Sequence, residues 1–250
     1  AFVIFGVCAS GVYVLNDLFD LDADRRHPRK RNRPFAAGNL SLTSGFALAV
    51  LLTLAAFAAA YALAPRFALV LLGYYVLTLA YSLRLQQIAM LDVLVLAALY
   101  TVRIVAGTVA IHVQFSFWLL AFAMFLFLSL ALVKRYTELG MQRQVGLDAA
   151  SGRGYRAADY DLLASLGGAS GYLSVLVLAL YINSTASAEL YHRPYFLWLL
   201  CPLLLYWISR TWIIAHRGKM HDDPVVFAAR DRVSMVLLVL AAIVVLLATR

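Results

Sequence analysis

The stretch NDLFDLDADRRHPRKRNRPFAAG, residues 16 to 38, interrupts a sequence that is otherwise largely apolar. Four aspartates and six Lys/Arg share these 23 residues, and an apolar run flanks them on each side. An apolar helix of about 20 residues crosses a bilayer, so a charged insert between two such runs marks a turn at a membrane surface. The pattern recurs along the chain. Of its 250 residues, 64% are hydrophobic and only 14% charged, against roughly 25% charged in soluble domains. Eight spans are expected, near 1–16, 43–63, 66–83, 90–110, 114–133, 162–182, 194–213 and 233–249. The expected fold is all-α, a single polytopic transmembrane helical bundle over residues 1–250. The chain opens inside the first apolar run, so a further span is expected before residue 1.

The net charge of +8 is explained by topology rather than by nucleic acid. If the spans alternate, the segments after spans one, three, five and seven share one side. They carry 17 of the 21 Lys/Arg: six between residues 25 and 33, Arg84, five between 134 and 156, and five between 210 and 232. By the positive-inside rule these segments are expected to be cytoplasmic, with both chain ends on the outer side. Cys8 and Cys201 lie within apolar runs, which speaks against a disulfide framework. The five histidines show no zinc-ligand spacing, and no glycine-rich phosphate loop follows a strand pattern.

The long charged segments concentrate the chemistry on one face. Asn16, Asp17, Asp20 and Asp24 form the pattern NDxxDxxxD. If the first helix continues to Asp24, its three aspartates share one face. Carboxylates that close repel one another unless a cation sits among them, and hard oxygen ligands of this kind suit Mg²⁺. Arg29, Lys30, Arg31 and Arg33 follow within ten residues and suit phosphate oxygens. The competing reading is a solvated loop whose charges pair with one another or with anionic lipid head groups. Arg103 lies inside a span, where a charge is expensive and usually faces a polar cavity. A phosphate contact is favoured there, the alternative being an ion pair with Asp92 three turns away. Gly167, Gly168 and Gly171 in LGGASG suit close helix approach. Asp222, Asp223, Arg230 and Asp231 allow loop capping as well as a site role.

The first motif resembles the first aspartate-rich element of the UbiA superfamily of intramembrane prenyltransferases. YSLRLQQIAMLDVLVLAALYTVRIVAGTVA, residues 81–110, is similar to that superfamily's middle segment. The resemblance implies an all-helical UbiA-like fold with a cavity open to lipid, and Mg²⁺ with diphosphate at the first motif. It also implies an integral membrane location, in a bacterial inner membrane, and gives Tyr81 a substrate-binding role. Most aromatic prenyltransferases of the superfamily carry a second motif, DxxxD. Here LVKRYTELG (132–140) puts Lys134 and Arg135 at that place, with Glu138 as its acid. KRYTE, together with HDDPVVFAARDR (221–232), resembles the branch exemplified by decaprenyl-phosphate phosphoribosyltransferase.

That branch implies a catalytic set of Asp17, Asp20, Lys134 and Glu138, with Asp17, Asp20 and Asp24 on the metal. Asn16, Arg29, Lys30, Arg33, Tyr81, Arg103 and Arg135 are the implied substrate contacts. The implied donor is a phosphorylated sugar, 5-phosphoribosyl diphosphate, and the implied acceptor a polyprenyl phosphate lipid. Alternatives remain open: an aromatic polyprenyltransferase using a polyprenyl diphosphate, a CDP-alcohol phosphatidyltransferase, or a lipid-binding or transport protein.

Overall fold

A computed structural model of the protein describes residues 1–26, 30–144, 154–220 and 223–250. Every regular element among them is helical. In order these are α1 (Phe2–Phe19), α2 (Leu21–Arg26), α3 (Leu42–Leu63), α4 (Pro65–Leu83), α5 (Leu91–Ala110) and α6 (Phe117–Gln144). Then come α7 (Tyr160–Ile182), α8 (Thr185–Leu190), α9 (Leu200–His216), α10 (Pro224–Arg230) and α11 (Arg232–Thr249). Among the described residues, eight helices are long and apolar enough to cross a membrane. They coincide with the eight expected spans to within a few residues at most ends. The main departure is α6, which runs on past residue 133 to Gln144. Lys134, Arg135 and Glu138 therefore stand on unbroken helix.

The chain divides into two compact units, residues 1–85 with 102–115, and residues 86–101 with 116–250. In the first, small residues let helices approach closely, the usual solution where lipid supplies no hydrophobic drive. A Cβ on Gly11 of α1 would lie 3.0 Å from Thr53 Oγ1 and 3.2 Å from the Ala49 carbonyl of α3. Ala49, Ala56 and Ala60 bury the same face of α3. Ser41 caps α3, its hydroxyl accepting from the Ser44 N–H at 3.1 Å, and Pro65 opens α4 at a position that needs no N–H donor.

The second unit is built on α6, α7 and α9. Gly167 and Gly171 do what their sequence context suggests. Added Cβ atoms would lie 2.1 Å from Trp212 and 2.6 Å from Ile208 respectively, whereas Gly168 faces open space. Hydrogen bonds reinforce the seam: Ser129 Oγ donates to the Gly167 carbonyl (2.7 Å), Trp212 Nε1 donates to Ser129 Oγ (3.1 Å), and Ser170 Oγ donates to the Phe125 carbonyl (2.8 Å). Such interhelical bonds contribute on average about 0.6 kcal/mol each in a membrane bundle.

Candidate functional site

The first motif does not lie on one continuous helix. α1 ends at Phe19, Asp20 takes φ −87° and ψ 7°, and α2 begins at Leu21. The Asp24 N–H still reaches the Asp20 carbonyl at 2.8 Å, so the chain kinks without unwinding. Asp20 is left exposed at the kink while Asp24 is buried. One guanidinium then gathers the other two acids: Arg33 Nη1 donates to Asp17 Oδ1 at 2.7 Å and to Asp24 Oδ2 at 2.8 Å.

The following loop places that arginine. Phe35 is buried against Gly45 of α3, where a Cβ would sit 2.5 Å from its ring. The Ala37 N–H returns to the Arg33 carbonyl at 2.8 Å, and Gly38 supplies the φ of +77° that closes the turn.

This arrangement bears on a metal. Among the described residues, no three His, Cys, Asp or Glu side chains are placed to hold an ion, so the expected triad of Asp17, Asp20 and Asp24 is not assembled. The kink at Asp20 is the physical reason. What does converge is a pair of carboxylate oxygens on one cationic nitrogen. Beside them Asn16 Oδ1 is buried, with no hydrogen-bond partner among the described residues. Mg²⁺ typically takes one or two carboxylates and completes its shell with water and phosphate oxygens. The donor set fits that ion. Arg29 lies outside the described residues; Lys30 opens a short 3₁₀ turn, Lys30–Asn32.

Arg103 also belongs to the first unit. It lines a cavity of about 770 Å³ between α1, α4 and α5, with its guanidinium over the Phe5 and Tyr74 rings and Nη2 donating to Tyr74 Oη at 3.3 Å. Phe5 and Asp17 are twelve residues apart on one helix, about 18 Å at 1.5 Å per residue. Arg103 therefore sits far from the kink, with aromatic faces beside its charge. Tyr81 is half-buried in the last turn of α4.

The KRYTE segment of the second unit is a network of ion pairs. Lys134 Nζ donates to Asp223 Oδ2 at 2.7 Å, both side chains being about one-third exposed. Burial alone would raise the Asp223 carboxyl, but the Lys134 ammonium and the Val225 and Val226 N–H groups hold it below the usual carboxylate value. Arg135 points elsewhere: its side chain is 2% exposed and that of Asp92 0%, and Nε donates to Asp92 Oδ2 at 2.5 Å. Its Nη1 donates to Glu138, which remains 36% exposed. Arg135 is thus buried between two carboxylates, a placement unlike the exposed phosphate contact its sequence suggests. Adjacent residues on a helix face about 100° apart, which is why neighbouring cations meet such different surroundings.

One participant escapes the sequence. Tyr155 donates its hydroxyl to Asp92 and accepts the Met90 N–H at 2.9 Å; SGRGY reads only as a loop breaker. Burial first, then the hydrogen bond to Asp92, pushes the Tyr155 phenol well above its ordinary value. Asp223 and Asp231 prove to be helix caps and ion-pair partners at once. Asp223 accepts from the Val225 N–H, and Asp231 accepts from the Ser234 N–H and from both terminal nitrogens of Arg210.

Fold and side-chain geometry together define an integral membrane helical protein with a cluster of paired charges in each unit. The chain belongs to the UbiA prenyltransferase family, whose model matches residues 1–236. It is 41% identical over 234 residues to the "Uncharacterized protein y4nM" of Sinorhizobium fredii, covering 93% of this chain and 45% of that one. With the "Nodulation protein NoeC" of Azorhizobium caulinodans it shares 37% identity over 236 residues, 94% of this chain and 77% of that one. With the "Decaprenyl-phosphate phosphoribosyltransferase" of Mycobacterium tuberculosis it shares 39% over 146 residues, 58% of this chain and 48% of that one. The chain thus spans about half the length of two of these relatives. A UbiA homolog from Archaeoglobus fulgidus bound to GPP and Mg²⁺ has the same fold, with a TM-score of 0.70 at 16% identity over 97% of this chain and 84% of that one.

Proposed function

We propose that the protein transfers a phosphoribosyl group from 5-phosphoribosyl diphosphate to a polyprenyl phosphate, dependent on Mg²⁺, at the cytoplasmic face of a bacterial inner membrane. The observation that carries this reading is Lys134 at the place of a second acidic motif, a partly exposed cation whose carboxylate partner a phosphate can replace. The partial match to decaprenyl-phosphate phosphoribosyltransferase supports it. The chain is taken in this proposal as one functional domain, residues 1–250.

Asp17 and Asp24 would hold the metal, with Asn16 offering its orphaned oxygen and Asp20 adding negative charge at the exposed kink. Bound Mg²⁺ would stabilise charge building on the pyrophosphate leaving group. Arg33, freed from its carboxylates, turns to the donor phosphates together with Arg29 and Lys30. Lys134 takes the acceptor or 5-phosphate oxygens, Glu138 is the carboxylate presented to the reaction beside it, and Tyr81 borders the donor. The acceptor phosphate, with a second pKa near 6, is largely ionised at neutral pH. Catalysis then needs positioning and electrostatics more than a strong base. Arg103, beside Phe5 and so about 18 Å along α1 from Asp17, is assigned to an anionic group of the substrates apart from the metal site.

The test is transfer of label from 5-phosphoribosyl diphosphate into the lipid phase, with polyprenyl phosphate, Mg²⁺ and detergent-purified protein. Loss of that label in Asp17→Ala, with fold retained, supports the assignment. Transfer from a polyprenyl diphosphate to an aromatic acid instead would replace it with aromatic prenylation.

A further inference from the structure

We propose that Asp92, Arg135 and Tyr155 form a buried clasp that positions Glu138, and that Arg135 acts through Glu138 rather than by touching substrate. The inference deepens the reading above, because it takes Glu138 as the group presented to the reaction.

Three observations carry it. Arg135 and Asp92 are sealed from solvent, so their pairing is fixed rather than exchangeable. A substrate phosphate could reach Arg135 only by stranding a buried carboxylate, which costs far more than leaving a surface pair. The guanidinium has one arm on Asp92 and another on Glu138, and of these two acids only Glu138 is open to solvent. A planar, rigid fork transmits the orientation of one partner to the other in a way a flexible lysine does not.

The third observation is the lock on Asp92. Its second oxygen receives the Tyr155 hydroxyl, and that hydroxyl also accepts the Met90 N–H. Met90 holds φ 66°, an uncommon backbone region for a non-glycine residue. Gly154 packs so tightly that a Cβ would meet the Gln87 carbonyl at 2.8 Å. The connection before α5 and the one before α7 are therefore stitched to the same carboxylate. Asp92 has no rotational freedom left, and Arg135 and Glu138 inherit that constraint. Tyr155 and Asp92 are positioning residues in this scheme, and Glu138 is the group they aim.

Tyr155→Phe removes one hydroxyl and leaves the ring and the Asp92–Arg135 pair in place, so the fold should persist. Carbodiimide-driven amine labelling of carboxyls, read by peptide mass spectrometry, reports the state of Glu138 directly. The expected result is a several-fold rise in labelling at Glu138 in Tyr155→Phe, with Asp223, on a different ion pair, labelled as in wild type. The same variant should lower kcat for transfer with little change in KM, and Tyr155→Phe and Glu138→Gln should be non-additive in a double-mutant cycle. Unchanged Glu138 labelling, or an equal rise at Asp223, overturns the clasp. The labelling needs no turnover. A wild-type protein inactive with 5-phosphoribosyl diphosphate would overturn the substrate assignment alone.

Discussion

Two arginines in this protein each hold two carboxylates, and they are not equivalent. Arg33 bridges Asp17 and Asp24 with its own side chain 40% exposed. Arg135 bridges Asp92 and Glu138 at 2% exposure. The same chemical unit serves opposite ends depending on water. Where water reaches the guanidinium, the pair with Asp17 contributes about 0–1 kcal/mol. Asp24, 3% exposed, needs another cation when Arg33 leaves, which suits a place where a metal enters. In the interior neither charge can be left alone without a large penalty, which suits a fixed frame. The first bridge is a candidate for displacement on binding; the second is part of the scaffold.

The largest effect should therefore come from Arg135. Arg135→Ala strands the Asp92 carboxylate and is expected to cost about 3–5 kcal/mol of stability, measured by thermal or denaturant unfolding in detergent. Asp92→Asn with Arg135 intact should be similarly damaging. A loss below 1 kcal/mol for both would put Arg135 in the exchangeable class and erase the contrast. Next comes the support beneath Arg33. Gly45→Val would drive side-chain atoms into Phe35, whose ring already lies 2.5 Å from a bare Cβ. Overpacking of this kind typically costs about 1–3 kcal/mol, and it should loosen the turn that carries Arg33. Limited proteolysis at the 30–40 loop, faster in the variant than in wild type, is the check.

The difference between the two bridges is also where sequence and structure part. Eight apolar runs separated by charged segments state the helical membrane fold outright, because span length and charge asymmetry are one-dimensional properties. LGGASG announces close helix approach for the same reason. The acid motif is legible as a cluster, yet its spacing assumes an unbroken helix, and the kink at Asp20 redistributes its members. Lys134 and Arg135 are neighbours of the same charge, and nothing in their order tells which faces a buried aspartate 43 residues away. Tyr155 is less visible still. Its role depends on a tertiary approach that Gly154 permits, and GY in a polar loop carries no periodic signal.

Arg33→Ala sharpens the comparison at lower amplitude. Stability should fall by less than for Arg135→Ala, because water reaches Arg33 and Asp17, although the buried Asp24 carboxylate also loses a cationic partner. Ligand behaviour should split. Without donor, Mg²⁺ or Mn²⁺ affinity should rise, since the competing guanidinium is gone, while affinity for the donor with metal falls. Isothermal titration with metal alone and then with donor separates the two signs. A fall in both would make Arg33 a support for the carboxylates and not a placeholder.

The smallest effect belongs to the pair that lies between these extremes, Lys134 and Asp223, each about one-third exposed. The Asp223 carboxyl lies below its ordinary value of 3.8 in the folded protein. The contribution of the pair is accordingly complete above that value and fades as pH falls through the lowered folded value. Because both partners are partly solvated, it should amount to no more than about 1 kcal/mol. Asp223→Asn should thus lower the unfolding midpoint slightly at pH 6 to 7, and the gap from wild type should close below about pH 4. The Asp223 side chain also caps α10 through the Val225 N–H, and asparagine preserves that acceptor, so the difference isolates the charge. An Asp223→Asn variant as stable as wild type across the whole range would show that the cap, not the pairing with Lys134, is what Asp223 supplies. Lys134 would then be held as loosely as the displacement reading requires.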